Sequence, residues 1–160
     1  VGMASSPVLA QGKLIVPMDT AGDSFLAAID TKDGKNVWKI ERPKDINWVT
    51  PTVREVGGKA EVIFMGKANT IAYSATDGKQ VWSFKGDAGT IASPIIHGEE
   101  VILPMRTELV CVKPEGAEAK VSWKSNKLAP AYASPLLYDG KIYTMKNGLL
   151  VCGDAQNGKE

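Results

Sequence analysis

The sequence predicts an all-β protein made of four-stranded antiparallel units that repeat along the chain. The first observation is a recurring proline, with intervals of 44, 43 and 41 residues between Pro7, Pro51, Pro94 and Pro135. The second is a tryptophan that follows the first three prolines by 31, 31 and 29 residues, at Trp38, Trp82 and Trp123. The third is that each period holds four short runs of strand-forming residues. Two independent markers with one period of about 40 to 45 residues predict a β-propeller.

Each repeat divides into its strands at glycine-containing turns. In the first repeat the predicted strands are SPVLA, KLIVPM, FLAAID and NVWKI. A tight turn at Gln11-Gly12 separates the first two, as expected for a two-residue hairpin loop. The fourth repeat reaches Glu160 after three strands.

The bulk composition excludes several classes of function. The formal net charge of the 160 residues is +1 and no basic stripe is present, so the sequence does not predict nucleic-acid binding. The apolar runs are far shorter than a membrane span, so we expect no direct insertion into a membrane. One histidine and two cysteines without ligand spacing predict neither a metal site nor a disulfide scaffold. We expect Cys111 and Cys152 to be buried free thiols.

The segment AAIDTKDGKNVW, residues 27–38, combines the tryptophan with a polar turn. We expect Asp30 to cap the turn, Gly34 to shape it, and the ring of Trp38 to pack between two units. The indole N–H is then expected to reach a backbone carbonyl of the neighbouring unit. Partial copies of this structural motif recur at Gly78, Trp82, Trp123, Asp154 and Gly158.

The full pattern A-x-D-x-x-x-G-x-x-x-W, at Ala28, Asp30, Gly34 and Trp38, resembles the tryptophan-docking repeat of the PQQ-like β-propellers. That resemblance implies a seven- or eight-bladed parent, of which this chain would be a single partial domain of roughly 3.75 blades. The expected blades span about residues 3–42, 46–85, 89–126 and 130–160. The resemblance also implies a periplasmic or otherwise extracytoplasmic location.

The resemblance leaves three functions open. The family includes quinoprotein dehydrogenases that bind PQQ and Ca²⁺, a scaffold lipoprotein of the outer-membrane β-barrel assembly machinery, and uncharacterised bacterial repeat proteins. The dehydrogenases carry adjacent cysteines, and this chain has none. We therefore favour a non-catalytic module that binds a protein or polymer partner and holds no cofactor itself, PQQ and Ca²⁺ being expected only in a full-length parent. The alternatives are part of a PQQ-dependent dehydrogenase and an extracytoplasmic sensor domain of a larger protein, such as a membrane-bound kinase.

The direction of the chain within each blade predicts where a binding surface lies. Loops between blades, and loops between second and third strands, collect on one face. The polar candidates on that face are Asp19, Lys67, Asn69, Arg106, Glu108, Lys146 and Asn147. Lys67, Arg106 and Lys146 occupy equivalent places, so they either form a cationic ring for an anionic ligand or an acidic segment, or are ordinary solvated charges.

Trp48, three residues before Pro51, is a further candidate, either for binding or for packing at the channel entrance.

The two ends of the repeat array are a separate feature of the sequence. Terminal blades expose apolar faces that neighbours normally cover, so we also predict that the chain self-associates.

Overall fold

The computed structural model describes residues 5–160 and contains fifteen β-strands. The first blade consists of β1 (Val8–Ala10), β2 (Lys13–Met18), β3 (Ser24–Asp30) and β4 (Asn36–Arg42). The second consists of β5 (Thr52–Val56), β6 (Lys59–Met65), β7 (Asn69–Ser74) and β8 (Gln80–Lys85). The third consists of β9 (Ile95–His97), β10 (Glu100–Pro104), β11 (Leu109–Glu115) and β12 (Glu118–Ser125). The fourth consists of β13 (Leu136–Tyr138), β14 (Lys141–Lys146) and β15 (Leu149–Asp154).

The strands of each blade pair with their sequence neighbours in antiparallel fashion. The inner strands β1, β5, β9 and β13 lie side by side, each in contact with the next. The blades therefore follow one another around a common axis, which confirms the predicted fragment of an all-β propeller. No helix long and apolar enough to cross a membrane occurs among residues 5–160.

The inner strands are connected by hydroxyl groups that precede the repeated prolines. The backbone N–H of Ser6 donates to Thr50 Oγ1 at 3.1 Å, and the N–H of Thr50 donates to Ser93 Oγ at 3.0 Å. The N–H of Ser93 continues the series to Ser134 Oγ at 2.9 Å. The Ser/Thr-Pro pairs thus mark hydrogen bonds that join neighbouring blades, a role that the sequence analysis missed.

The first and second blades are joined by a docked tryptophan. The indole N–H of Trp38 donates to the carbonyl of Ala75 at 3.1 Å. The ring lies directly over Gly78, whose φ is +71°, and a Cβ on that glycine would come within 2.9 Å of Trp38 Cδ2. The glycine therefore forms the positive-φ turn of its own blade and also leaves space for the ring of the preceding blade.

The third and fourth blades are joined in the same way. Trp123 donates its indole N–H to the carbonyl of Ala155 at 3.1 Å, and a Cβ on Gly158 would lie 2.5 Å from its Cε3. The turn below the ring is capped by Asp154, whose Oδ1 accepts the N–H of Gln156 at 2.9 Å. In the first blade the Oδ1 of Asp30 likewise accepts the N–H of Lys32 at 2.7 Å.

The joint between the second and third blades is built differently. The indole N–H of Trp82 donates to Glu61 Oε2 of its own blade, at 2.9 Å. The expectation that every indole reaches the neighbouring blade is therefore wrong for Trp82. The reason is that β11 and β12 run on to a two-residue turn at Gly116-Ala117, so the third blade has no polar turn like that of its neighbours.

An ion pair and a strand contact hold this second joint. Arg54 pairs with Glu61 at 2.7 Å and donates through Nη1 to the carbonyl of Glu99 in the third blade. The long hairpin brings β12 against β8, where the N–H of Ser83 donates to the carbonyl of Ala117 at 3.0 Å. The contact is parallel and merges the two blades into one eight-stranded sheet.

The hydrophobic core lies between the blades. One cluster joins the first three blades and includes Ile15, Leu26, Phe64, Trp82 and Leu103. A second cluster lies between the third and fourth blades and includes Ile102, Leu109, Cys111, Trp123 and Ile142. Side chains alternate along a strand, so the second and third blades each contribute one face to the preceding joint and the other face to the following joint.

The contact between the Trp38 ring and Gly78 can be tested with a matched pair of glycine substitutions. Gly34→Ala and Gly78→Ala both place a side chain at a φ near +70°, but only the second meets an indole ring. We expect Gly34→Ala to lower the free energy of unfolding by about 1–2 kcal/mol through backbone strain. Gly78→Ala should lower it by a further 1–3 kcal/mol or so through overpacking. Urea titrations measure the free energy of unfolding of both variants. Equal losses would show that the Trp38 ring does not pack against Gly78.

Candidate binding face

The loops predicted to carry a binding surface connect the second to the third strand of each blade and one blade to the next. We call this surface the loop face. It comprises residues 19–23, 43–51, 66–68, 86–94, 105–108, 126–135 and 147–148. The hydroxyl groups that precede the repeated prolines lie at its inner edge.

A buried ion pair clamps the loop face between the first and second blades. Arg42, at the end of β4, donates from Nε to Asp19 Oδ1 at 2.8 Å and from Nη2 to Asp19 Oδ2 at 2.9 Å. Both side chains are only 4% exposed. The carboxylate also accepts a hydrogen bond from Asn47 Nδ2 at 3.1 Å. Asp19 was predicted for the binding face, and it lines the cavities beside Trp48 and Lys67, but its carboxylate is paired inside this joint, where its charge is neutralised.

The clamp continues into the second blade. Arg42 Nη1 donates to the Tyr73 hydroxyl at 3.1 Å, and its guanidinium lies 4.2 Å from the centroid of the Phe64 ring. Asn47 Nδ2 also donates to the carbonyl of Met65 at 2.7 Å. Burial raises the pKa of the Tyr73 phenol above its ordinary value, and the opposing effect of Arg42 is smaller. Arg42 therefore bridges two blades, at the wall of the cavity that also holds Lys67.

The three predicted cations do not share one cavity. Lys67 lies beside Asn69 in a cavity of about 210 Å³ between the first two blades. Arg106 and Lys146 instead line a broad cleft of about 580 Å³, together with Lys127 and Asn147. The cationic ring is thus divided into one site with Lys67 and another with Arg106 and Lys146.

Most charges of the second cleft already have partners. Arg106 Nε contacts Asp87 Oδ2 at 2.8 Å, and both side chains are exposed. Lys146 Nζ donates to the carbonyl of Asn126 at 2.7 Å. Outside this cleft, in a separate one, Glu108 accepts from Lys124 at 2.8 Å. The Arg106–Asp87 and Lys124–Glu108 contacts are solvated surface ion pairs, whose mutual attraction is weak and screened by salt.

Two exposed aromatic residues lie at the inner edge of the loop face. Trp48 is 41% exposed, and its backbone N–H is fixed by the carbonyl of Thr90 at 2.8 Å. It lines a cavity of about 290 Å³ with Ile46, which is also exposed. Tyr132 is 72% exposed and borders a second cavity of about 290 Å³ with Ile91.

Tyr132 was not among the residues predicted for binding. A signal for it was nevertheless present, because Trp48 and Tyr132 each stand three residues before a repeated proline. The offset places both side chains at the same point of their blades, immediately before the inner strand. The repeat therefore allows an aromatic residue in one blade to locate its counterpart in another.

The acidic residues of the loop face do not fit a Ca²⁺ site. Calcium requires six to eight oxygen ligands around one point. Within residues 5–160, no three His, Cys, Asp or Glu side chains converge in a way that could hold a metal ion. The carboxylates of Asp19, Asp87 and Glu108 each face a cation of the protein. We therefore derive no redox step through PQQ and Ca²⁺ on these residues.

The two thiols have different environments. Cys111 is buried, and burial, with a smaller contribution from Glu100, raises the pKa of its thiol far above the ordinary value. Cys152 is exposed, so the expectation of two buried thiols is wrong for it. Cys111 is covered by the fourth blade, whereas Cys152 occupies the opposite face of that blade, where no described residue covers it.

The comparison with known families agrees with this architecture. The family model described as outer membrane protein assembly factor BamB, a model of PQQ-like repeats, matches residues 22–160. The chain belongs to this family.

Solved structures of two kinds share the fold. BamB from Moraxella catarrhalis superposes with a TM-score of 0.68 at 14% identity, over 95% of this chain and 50% of that chain. The quinohemoprotein alcohol dehydrogenase ADHIIG from Pseudomonas putida HK5 superposes with a TM-score of 0.65 at 16% identity, over 99% of this chain and 33% of that one. At such identities the likeness concerns the fold alone.

A curated relative is similar in sequence over a shorter stretch. It is the 1-butanol dehydrogenase (cytochrome c) of Thauera butanivorans, 33% identical over 90 residues. The match covers 54% of this chain but only 12% of the relative. The chain thus spans a small part of that enzyme and about half of the BamB chain above.

The structural role of Arg42 can be compared with that of a surface arginine. Arg42→Met keeps the apolar stem but leaves Asp19 buried without its cation, so we expect a loss of about 3–5 kcal/mol in the free energy of unfolding. Arg106→Met removes an exposed pair and should change it by about 1 kcal/mol or less. Urea unfolding distinguishes the two, and a small effect of Arg42→Met would exclude the clamp.

The thiols give a second test of the site geometry. A maleimide applied to the native chain at low micromolar concentration should label Cys152 and leave Cys111 unmodified until the chain unfolds. Mass spectrometry counts the adducts, and Cys152→Ser should abolish native labelling. Two adducts on the native wild-type chain would show that the joint between the third and fourth blades opens readily.

Proposed function

We propose that the chain is a non-catalytic binding module whose loop face takes up a segment of a protein partner. The observation that carries the proposal is the pair of exposed aromatic residues, Trp48 and Tyr132, each beside a cavity at the inner edge of that face. Exposed Trp and Tyr side chains next to a pocket are typical anchors of protein interfaces, because they bury much area and lose little conformational entropy.

The surroundings of the aromatic residues support binding better than catalysis. The Asp19–Arg42 clamp and the row of hydroxyl groups hold the backbone of the face, so its aromatic residues are presented on a rigid base. Arg106, Lys127 and Lys146 add positive charge around the second cleft, which favours a partner segment with acidic residues. Binding surfaces of this kind are carried by loops on a stable scaffold.

The partner class follows from the family. The name of the family, outer membrane protein assembly factor, suggests a partner among the proteins that assemble the outer membrane. The corresponding location for this chain is the periplasm, or another extracytoplasmic compartment. A polymer other than protein stays an alternative partner.

The proposal is tested with two tyrosines of equal exposure on different surfaces. Tyr132 on the loop face is 72% exposed, and Tyr138, away from that face on the fourth blade, is 70% exposed. Binding to purified outer-membrane assembly proteins, each immobilised in turn, is measured by surface plasmon resonance. We expect Tyr132→Ala and Trp48→Ala each to weaken the affinity about tenfold or more, and Tyr138→Ala to leave it unchanged. Equal effects of the two tyrosine variants, or no binding by the wild type, would refute the proposal.

A second candidate function is part of a PQQ-dependent dehydrogenase. It is favoured by the 33% identity with the butanol dehydrogenase and opposed by the paired carboxylates of the loop face. Adding PQQ and Ca²⁺ to the protein and following the reduction of a dye tests it directly. Sustained reduction would favour the enzyme over the binding module.

A further inference from the structure

The repeat allows the Asp19–Arg42 clamp to be compared with the same place between the third and fourth blades. Asp19 and Arg106 are equivalent, because each lies six residues after the first residue of its second strand, β2 or β10. Arg42 and Lys127 are equivalent, because each follows a docked tryptophan by four residues. The place of the buried carboxylate is thus held by a guanidinium in the third blade, and the place of the buried guanidinium by an ammonium group.

Two more contacts of the clamp have equivalent positions. Asn47 and Ala131 each stand four residues before a repeated proline, and Phe64 and Lys146 each lie five residues after the first residue of β6 or β14. In the clamp, Asn47 donates to the carboxylate and the Phe64 ring lies against the guanidinium. Between the third and fourth blades, a methyl group and a third cation stand in their place.

The four equivalent residues all line one opening between the third and fourth blades. Arg106, Lys127, Ala131 and Lys146 border the broad cleft of about 580 Å³. The exposed fraction of the side chain is 56% for Arg106 and 70% for Lys127, against 4% for both side chains of the clamp. The cleft therefore corresponds in position to the clamp, but it holds three cations and no carboxylate among its described lining residues.

The carboxylates paired with these cations lie outside the lining of the cleft. Asp87 Oδ2 accepts from Nε of Arg106 at 2.8 Å, and Glu160 lies 3.8 Å from Nζ of Lys127. Both pairs are exposed to solvent, where ion pairs are weak. The contact with Asp87 uses Nε, so the two terminal nitrogens of the Arg106 guanidinium have no acceptor among the described residues. An added carboxylate can pair with these nitrogens through two parallel hydrogen bonds, the geometry that the two groups favour.

We propose that this cleft binds a carboxylate of the partner segment, in the place that Asp19 fills between the first and second blades. The inference rests on the proposed function, since the segment is the one that the loop face takes up. The cleft shares Arg106, Pro130 and Ala131 with the cavity that Tyr132 borders. The segment therefore carries an acidic residue close to the apolar side chain that occupies that cavity.

Two dye-labelled peptides, hexaglutamate and hexaglutamine, test the chemistry of the ligand. Fluorescence anisotropy measures the binding of each peptide to the protein. We expect hexaglutamate to bind, its affinity to fall as the salt concentration rises, and hexaglutamine not to bind. Equal binding of the two peptides, or binding of neither, would overturn the proposal.

A pair of charge reversals locates the site. Arg106→Asp places a carboxylate opposite Lys127, as Asp19 lies opposite Arg42, and should weaken the affinity for hexaglutamate about tenfold or more. The control is Lys120→Asp, which changes the net charge by the same amount at an exposed side chain near the other end of β12. This variant should change the affinity by less than about twofold. Equal losses would show that only the overall charge attracts the peptide, and urea unfolding verifies that both variants are folded.

A short nucleic acid separates a carboxylate site from a phosphate site. The sequence has no basic stripe that could follow a phosphate backbone, so we expect hexathymidylate to displace hexaglutamate only at a much higher concentration. If hexathymidylate displaced the peptide at an equal or lower concentration, the cleft would be a site for phosphate groups and the assignment to an acidic protein segment would be wrong.

The same variant separates the carboxylate site from the proposed function. In the surface plasmon resonance assay with outer-membrane assembly proteins, Arg106→Asp should weaken binding about tenfold, as Tyr132→Ala does. If Trp48→Ala and Tyr132→Ala weaken binding but Arg106→Asp does not, the carboxylate site is refuted and the binding module stands. If the wild type binds no assembly protein but loses hexaglutamate through Arg106→Asp, the proposed partner class is refuted and the carboxylate site stands.

Discussion

The contact between neighbouring blades is the constraint on which the rest of the structure depends. A single three- or four-stranded sheet cannot bury both of its apolar faces, so each blade is stable only between others. At the first and third joints this burial is centred on an indole ring that lies on a glycine and donates to a carbonyl of the next blade. The ring adds a large apolar area while its one polar atom stays hydrogen-bonded.

The second joint shows how the same constraint is met when the docking turn is absent. The third blade continues β11 and β12 into a long hairpin, so its turn glycine, Gly116, does not lie under the ring of Trp82 and no backbone carbonyl of the third blade accepts the indole N–H. Glu61 accepts the indole N–H instead. Arg54 neutralises Glu61 and donates to the carbonyl of Glu99 in the third blade. The hairpin itself pairs with β8 through β12. Because desolvation offsets much of the attraction in a buried ion pair, the packing and the strand pairing contribute the net stability of this joint.

The loop face is organised by the same joints. Arg42 and Asp19 neutralise each other where the first blade meets the second, so these charges serve the framework. The side chains that we propose for binding a partner are those that the framework does not use, above all Trp48 and Tyr132. Structural residues and candidate binding residues thus lie close together on the loop face. The structural side chains contact other residues of the protein, whereas the candidate binding side chains are exposed to solvent.

The sequence by itself determined the strands, their order, the repeat and the family, because these depend on local periodicity and on turns that four copies repeat. It also located the docking of Trp38, since its partners recur at a fixed offset. Only the tertiary structure decided that Trp82 turns to Glu61, that Asp19 is neutralised, and that Cys152 is exposed. Trp82 and Glu61 are 21 positions apart and Asp19 and Arg42 are 23 apart, each pair within one blade, and the exposure of Cys152 depends on whether another blade covers it. None of these contacts leaves a local signal in the sequence.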